Sequence, residues 1–125
     1  MIFGRKGAYR NMEIGKERQI DRYKILVGLN GKDDDLQKHD TEKYISIIEY
    51  VCKNNDIAFS LEIQRGGYRY DNGNFTRENS LAVTLLYAQK EQADLLASEL
   101  CAMFNQESVL ILHDRVGAYF LREEL

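Results

Sequence analysis

Proline and tryptophan are absent from these 125 residues, and cysteine and histidine occur only twice each. Without proline, the breaks between elements fall to glycine, asparagine and aspartate. Cys52 and Cys101 have no paired spacing, which excludes a disulfide framework and a cysteine-built zinc site. Both lie in helical patterns and read as buried thiols. With only His39 and His113 to add, no metal and no cofactor is expected. No apolar run approaches the ~18 residues that span a bilayer, so no membrane segment is expected. Met1-Ile2-Phe3 runs straight into Gly4, Arg5 and Lys6, which is not the apolar core of a signal peptide. A cytoplasmic protein is the expectation.

What is present is a globular composition. The chain is 44% hydrophobic and 30% charged, which argues against disorder. Its length suits one domain with one core. The net charge of −3 is unevenly spread. Residues 1–22 hold Arg5, Lys6, Arg10, Lys16, Arg18 and Arg22 against Glu13, Glu17 and Asp21, and so form a basic arm before an acidic body. The expected organisation is this arm, solvated and unanchored, over 1–22, and a single α+β domain over 23–125.

Period-2 alternation marks a first strand over Tyr23–Asn30, ended by Asn30-Gly31. Asp40 or Thr41 opens a helix whose stripe is Tyr44, Ile47, Ile48, Val51 and Cys52. Ala58–Tyr70 reads as a second strand with a possible bulge at Gly66-Gly67. Asp71-Asn72-Gly73-Asn74 predicts a two-residue type I′ hairpin turn into a third strand, Phe75–Tyr87. Lys90–Phe104 is the second helix, with stripe Ala93, Leu96, Ala97, Leu100 and Phe104. A fourth strand is expected at Ser108–His113, with Ala118–Leu121 a continuation or a short fifth.

The order strand-helix-strand-strand-helix-strand, with a local central hairpin and right-handed crossovers, gives a ferredoxin-like β-α-β-β-α-β sandwich. Both helices then cover one face of a four-stranded antiparallel sheet. Ile25, Val27, Leu29, Phe59, Leu61, Ile63, Leu81, Val83 and Leu85 are expected under the helices. Leu26, Ala82, Thr84, Leu86 and one phase of Val109–Leu112 are left on the other face. That face is too apolar for water alone, so a homo-oligomer is expected, a dimer or a multiple of one.

The segment from Arg65 to Arg77 concentrates guanidinium groups and phenols. Arg65, Arg69 and Arg77 suit phosphates or carboxylates, and Tyr68 and Tyr70 suit stacking on a base. The alternative is a twisted hairpin whose tyrosines simply pair across strands. His113-Asp114-Arg115, after the expected fourth strand, offers acid–base and anion-binding groups, although no nucleophile accompanies them. Asp33-Asp34-Asp35 lacks a calcium-loop spacing and reads as a solvated loop. Aromatic stretches at Gly7-Ala8-Tyr9 and Val116–Phe120 lie off the expected third strand and the body is acidic, so nucleic acid is not an expected partner.

Two blocks, Gly67–Ser80 and Phe104–Leu110 (Phe-Asn-Gln-Glu-Ser-Val-Leu), resemble the DUF3574-type small proteins of unknown function. That resemblance implies defined positions for Arg77, Glu78, Gln106, Glu107 and Ser108, with Asn105 or Gln106 capping the second helix and Arg77 pairing with Glu107. It carries no activity. The chain also resembles the compact proteins of phages and mobile elements. The expected function is a non-catalytic oligomer that binds a small, anionic, nucleotide-like ligand through Arg65, Tyr68, Arg69, Tyr70, Arg77, Gln106, His113 and Arg115. The alternatives are an inhibitor acting by contact with a host protein, such as a nuclease, and a small ferredoxin-like enzyme.

Overall fold

A computed structural model describes residues 13–123. The elements are β1 (Arg18–Gly28), α1 (Thr41–Asn54), β2 (Ser60–Arg69), β3 (Phe75–Leu86), α2 (Lys90–Met103) and β4 (Leu110–Ala118). The strands form one antiparallel sheet in the order β2-β3-β1-β4, the expected ferredoxin-like arrangement. β1 starts at Arg18, so the last residues of the expected arm belong to the sheet. The arm's first twelve residues, with Gly7-Ala8-Tyr9, lie outside the described ones.

The core is where the alternation and the helical stripes place it. Ile25, Val27, Leu29, Leu81, Val83 and Leu85 are buried under Tyr44, Ile48, Val51, Cys52, Ala93, Leu96, Ala97, Leu100 and Phe104. Burying each large aliphatic side chain contributes about 1.5–3 kcal/mol. Ile63 departs from expectation and is 52% exposed. It sits on edge strand β2, where every residue past Leu61 is exposed, because neither helix reaches that far. Ala82 departs the other way: it faces the open side, yet Leu26 and Glu62 flank it in register and leave it buried.

Three local features differ from the sequence reading. β2 runs through Gly66-Gly67 without a bulge, with Gly66 opposite Glu78 and Gly67 opposite Arg77. The hairpin loop has three residues. Tyr70 N–H donates to the Asn74 carbonyl (2.8 Å), Gly73 N–H donates to the Tyr70 carbonyl (2.9 Å), and Gly73 alone takes a positive φ, +90°. This is the turn-plus-glycine alternative to the I′ turn. Finally, β4 occupies Leu110–Ala118, so His113, Asp114 and Arg115 lie within a strand rather than after one. Beyond it, Phe120 bridges to Ile14 as neither a continuation nor a fifth strand.

Both helices end on a left-handed residue other than glycine, Asp56 (φ 52°) and Asn105 (φ 52°). In each case the next N–H reaches back five residues: Ile57 to the Cys52 carbonyl and Gln106 to the Cys101 carbonyl, both 2.9 Å. These are helix-closing turns that satisfy orphan carbonyls. None of the helices among the described residues is long and apolar enough to cross a membrane.

Candidate ligand site

β2 and β3 continue past the end of β1. Gly28 is the last β1 residue paired to β3, through Ser80, while β3 stays paired to β2 as far as Phe75. The hairpin therefore projects, and strand alternation gives it two chemically different faces. Arg65, Gly67, Arg69, Phe75, Arg77 and Asn79 share the side of the helices. Tyr68, Tyr70 and Glu78 share the open side.

The loop that leaves β1 closes against the open side. Asn30, the one buried polar residue of those described, donates its backbone N–H to Glu78 Oε2 (3.1 Å) and its side-chain amide to the Arg77 carbonyl (3.1 Å). Gln106 Nε2 donates to the Asn30 carbonyl at 2.6 Å. The turn closing α2 makes that reach possible, since it fixes Gln106 beside the loop. Its neighbour Asn105 accepts the Lys32 N–H (3.0 Å) and donates to Asp33 (3.0 Å). The Tyr68 hydroxyl donates to Asp35 Oδ1 at 2.9 Å and lies 3.3 Å from the Tyr70 hydroxyl. The two rings meet edge to face.

Between these groups lies a cleft of about 330 Å³ whose acids are Asp35, Glu78 and Glu107 and whose one base is Lys32. Burial lifts the Glu78 carboxyl above the ordinary carboxylate range. The Asn30 N–H opposes this, and the nearby charge of Asp35 adds to it. Loss of water and then the Asp35 carboxylate push the Tyr68 phenol up to about 12. The cleft is thus acidic and aromatic.

Of the residues expected to bind a ligand, Tyr68, Tyr70 and Gln106 come together here. Arg65 and Arg77 line a separate cleft on the helix side of the hairpin. Arg77 is therefore not paired with Glu107. Arg69 is held by the Gly73 carbonyl (2.6 Å) and lies over the Phe75 ring. His113 and Arg115 are remote, on β4: His113 stacks on Tyr23 and contacts Asp21 (2.9 Å), and Arg115 reaches the Gln19 carbonyl. Beside them, Arg22 clasps Asp114 through two hydrogen bonds, 3.0 and 2.6 Å, on the open sheet face.

Asp35, expected only as part of a solvated loop, and Glu78, expected only through the DUF3574 resemblance, are acids of this site. One signal for Glu78 existed: Gly28 interrupts an otherwise large-residue strand. A Cβ there would stand 2.5 Å from the Glu78 carboxylate, so the glycine makes room for it.

No protein-family model matches the chain, and no curated protein matches it. Among solved structures, the chain is similar to a phage SAM lyase in complex with S-methyl-5'-thioadenosine, at 24% identity and TM-score 0.60, over 86% of this chain and 92% of that one. The same likeness holds for a phage SAM lyase in its apo state, at 24% identity and TM-score 0.62, over 85% and 94%. CutA from Synechococcus elongatus is similar at 14% identity and TM-score 0.55, over 83% and 86%. At these identities the likeness is one of fold, a ferredoxin-like α+β sandwich that this chain shares along most of its length.

Proposed function

We propose that this chain binds a small sulfonium nucleoside of the S-adenosylmethionine type in the Tyr68–Glu78 cleft and cleaves it as a lyase. The observation that carries this reading is the convergence of Glu78, Asp35 and the phenols of Tyr68 and Tyr70 in a cleft with one lysine. A carboxylate in partly desolvated surroundings favours a cation, and a tyrosine ring face adds cation–π attraction. The cleft's charge thus favours a cationic ligand over the anionic one expected from the arginines. The fold likeness to a phage SAM lyase that holds S-methyl-5'-thioadenosine supports the same substrate class.

The chemistry is the breaking of the bond between sulfur and the γ carbon of the amino-acid arm. Sulfur keeps the electron pair and departs as the neutral thioether. An oxygen of the substrate's own carboxylate supplies the pair that replaces it, closing a lactone, so no water is consumed and no proton is removed. Glu78 holds the cationic end of the substrate, and Tyr68, tethered to Asp35, fixes the wall against which it lies. The open sheet face supports a homo-oligomer as the working form, since Leu110 and Leu112 are 56% and 47% exposed on it.

The test is incubation of the purified protein with S-adenosylmethionine, with products followed by mass spectrometry. Release of S-methyl-5'-thioadenosine, lowered at least 100-fold in Glu78→Gln, is the expected result. Calorimetric binding without turnover would leave a binding protein and sink the lyase. Neither binding nor turnover would sink the whole reading.

A further inference from the structure

The opposite face of the same hairpin carries a second cleft, of about 720 Å³, bordered by Arg65, Gly67, Phe75, Arg77, Gln37 and Asn79. We infer that it is a separate site for a phosphate group borne by a nucleotide-sized molecule. The volume lies within the range of small-molecule sites.

Three observations lead there. First, neither the Arg65 nor the Arg77 guanidinium has an ion-pair or hydrogen-bond partner among the described residues. Two other charged groups of the hairpin are engaged, Arg69 by the Gly73 carbonyl and Glu78 by the Asn30 N–H. Second, register makes the two free arginines diagonal neighbours on one face, since Arg65 opposes Asn79 and Gly67 opposes Arg77. Like charges so placed repel one another. The acids on the hairpin's strands, Glu62 and Glu78, alternate to the other face; Glu78 borders this cleft but directs its carboxylate to the Asn30 N–H. Third, the floor between the two arginines is bare backbone. A Cβ on Gly67 would stand 2.5 Å from the Phe75 ring, so the ring lies across the glycine and walls the cleft. Asn79 is fixed by its amide hydrogen bond to Gln37 Oε1 (3.0 Å), so its oxygen serves only to accept from a hydroxyl or N–H elsewhere on the molecule that bears the phosphate.

Two guanidinium forks at diagonal positions on one face suit a tetrahedral dianion, because each can present paired N–H donors to a different edge of the phosphate. A carboxylate carries one charge on two coplanar oxygens and offers the two forks less charge and fewer edges. The two clefts share Asn30 and Glu78 at their border, but the phosphate assignment does not depend on what the acidic cleft binds.

The experiment is a titration of the isotopically labelled full chain, followed by amide NMR, with inorganic phosphate, AMP and acetate in separate arms at constant ionic strength. The expected result is saturable shifts at Gly66, Gly67 and Arg77 with phosphate and with AMP. Affinity should fall at least tenfold in Arg65→Gln and in Arg77→Gln. Both arginine side chains are exposed, so the variants are expected to keep the wild-type spectrum elsewhere. Equal response to acetate would overturn the phosphate assignment. Absence of saturable shifts, or shifts indifferent to both arginine variants, would overturn the site.

Discussion

At the scale of the residue, Glu78 combines two properties that oppose each other. Its carboxylate is the centre of the acidic cleft, and burial raises its pKa above the ordinary value. In the unfolded chain the group ionises at that ordinary value. Between the two values the folded state holds more protons, so folding stability declines as pH rises through that window. Glu78→Gln removes this cost and keeps an oxygen to accept the Asn30 N–H. It is therefore expected to leave the melting temperature unchanged or higher at pH 7 while ligand binding is lost. A large drop in melting temperature would show that the carboxylate is structural. In the wild type, affinity for a sulfonium ligand should fall as pH is lowered through the raised pKa, which calorimetry at stepped pH would record. Gly28→Ala tests the same group from its neighbour. The new methyl displaces a flexible carboxylate rather than backbone. Binding is expected to weaken about tenfold, a loss of about 1.4 kcal/mol, with stability kept within about 1 kcal/mol.

At the scale of the element, the hairpin separates two glycines that look alike in the sequence. A Cβ on Gly66 meets nothing within 4 Å, whereas on Gly67 it meets the Phe75 ring at 2.5 Å and the Thr76 carbonyl at 2.9 Å. Gly67→Ala should cost about 1–3 kcal/mol, because a backbone atom is in the way, and Gly66→Ala should cost close to nothing. Chemical denaturation of the pair checks this; equal losses would mean that the ring is free to move aside. The helices, the second and third strands and the core half of the first were legible from periodicity because each buries one stripe or one face, whereas β1 begins at Arg18 rather than the expected Tyr23. The fourth strand was shifted because Asp114, Arg115 and Gly117 look like loop residues. Their strand state comes from pairing with Arg22, Asp21 and Gln19 of β1 respectively, and local sequence does not encode a partner nearly a hundred residues away.

At the scale of the whole molecule, the leucines of the open face were legible from the leftover phase of the first, third and fourth strands, and Leu110 and Leu112 are exposed on it beside the charged groups of Arg22, Lys24 and Asp114. Leu112→Asp is expected to lower the sedimentation coefficient toward that of a 14.5 kDa monomer without unfolding the chain. Wild-type protein that already sediments as a monomer would refute self-association. The fold class, the order of elements and the concentration of arginine and tyrosine in one hairpin were determined by the sequence itself, since they follow from residue type and spacing along a chain. Which of those side chains share a site was decided only in three dimensions. Alternation across β2 and β3 parted the arginines from the tyrosines. The end of β1 and the turn after α2 then brought Asn30, Asp35 and Gln106 to Glu78. Such convergence depends on strand register and loop closure, which long-range packing sets and local sequence leaves open.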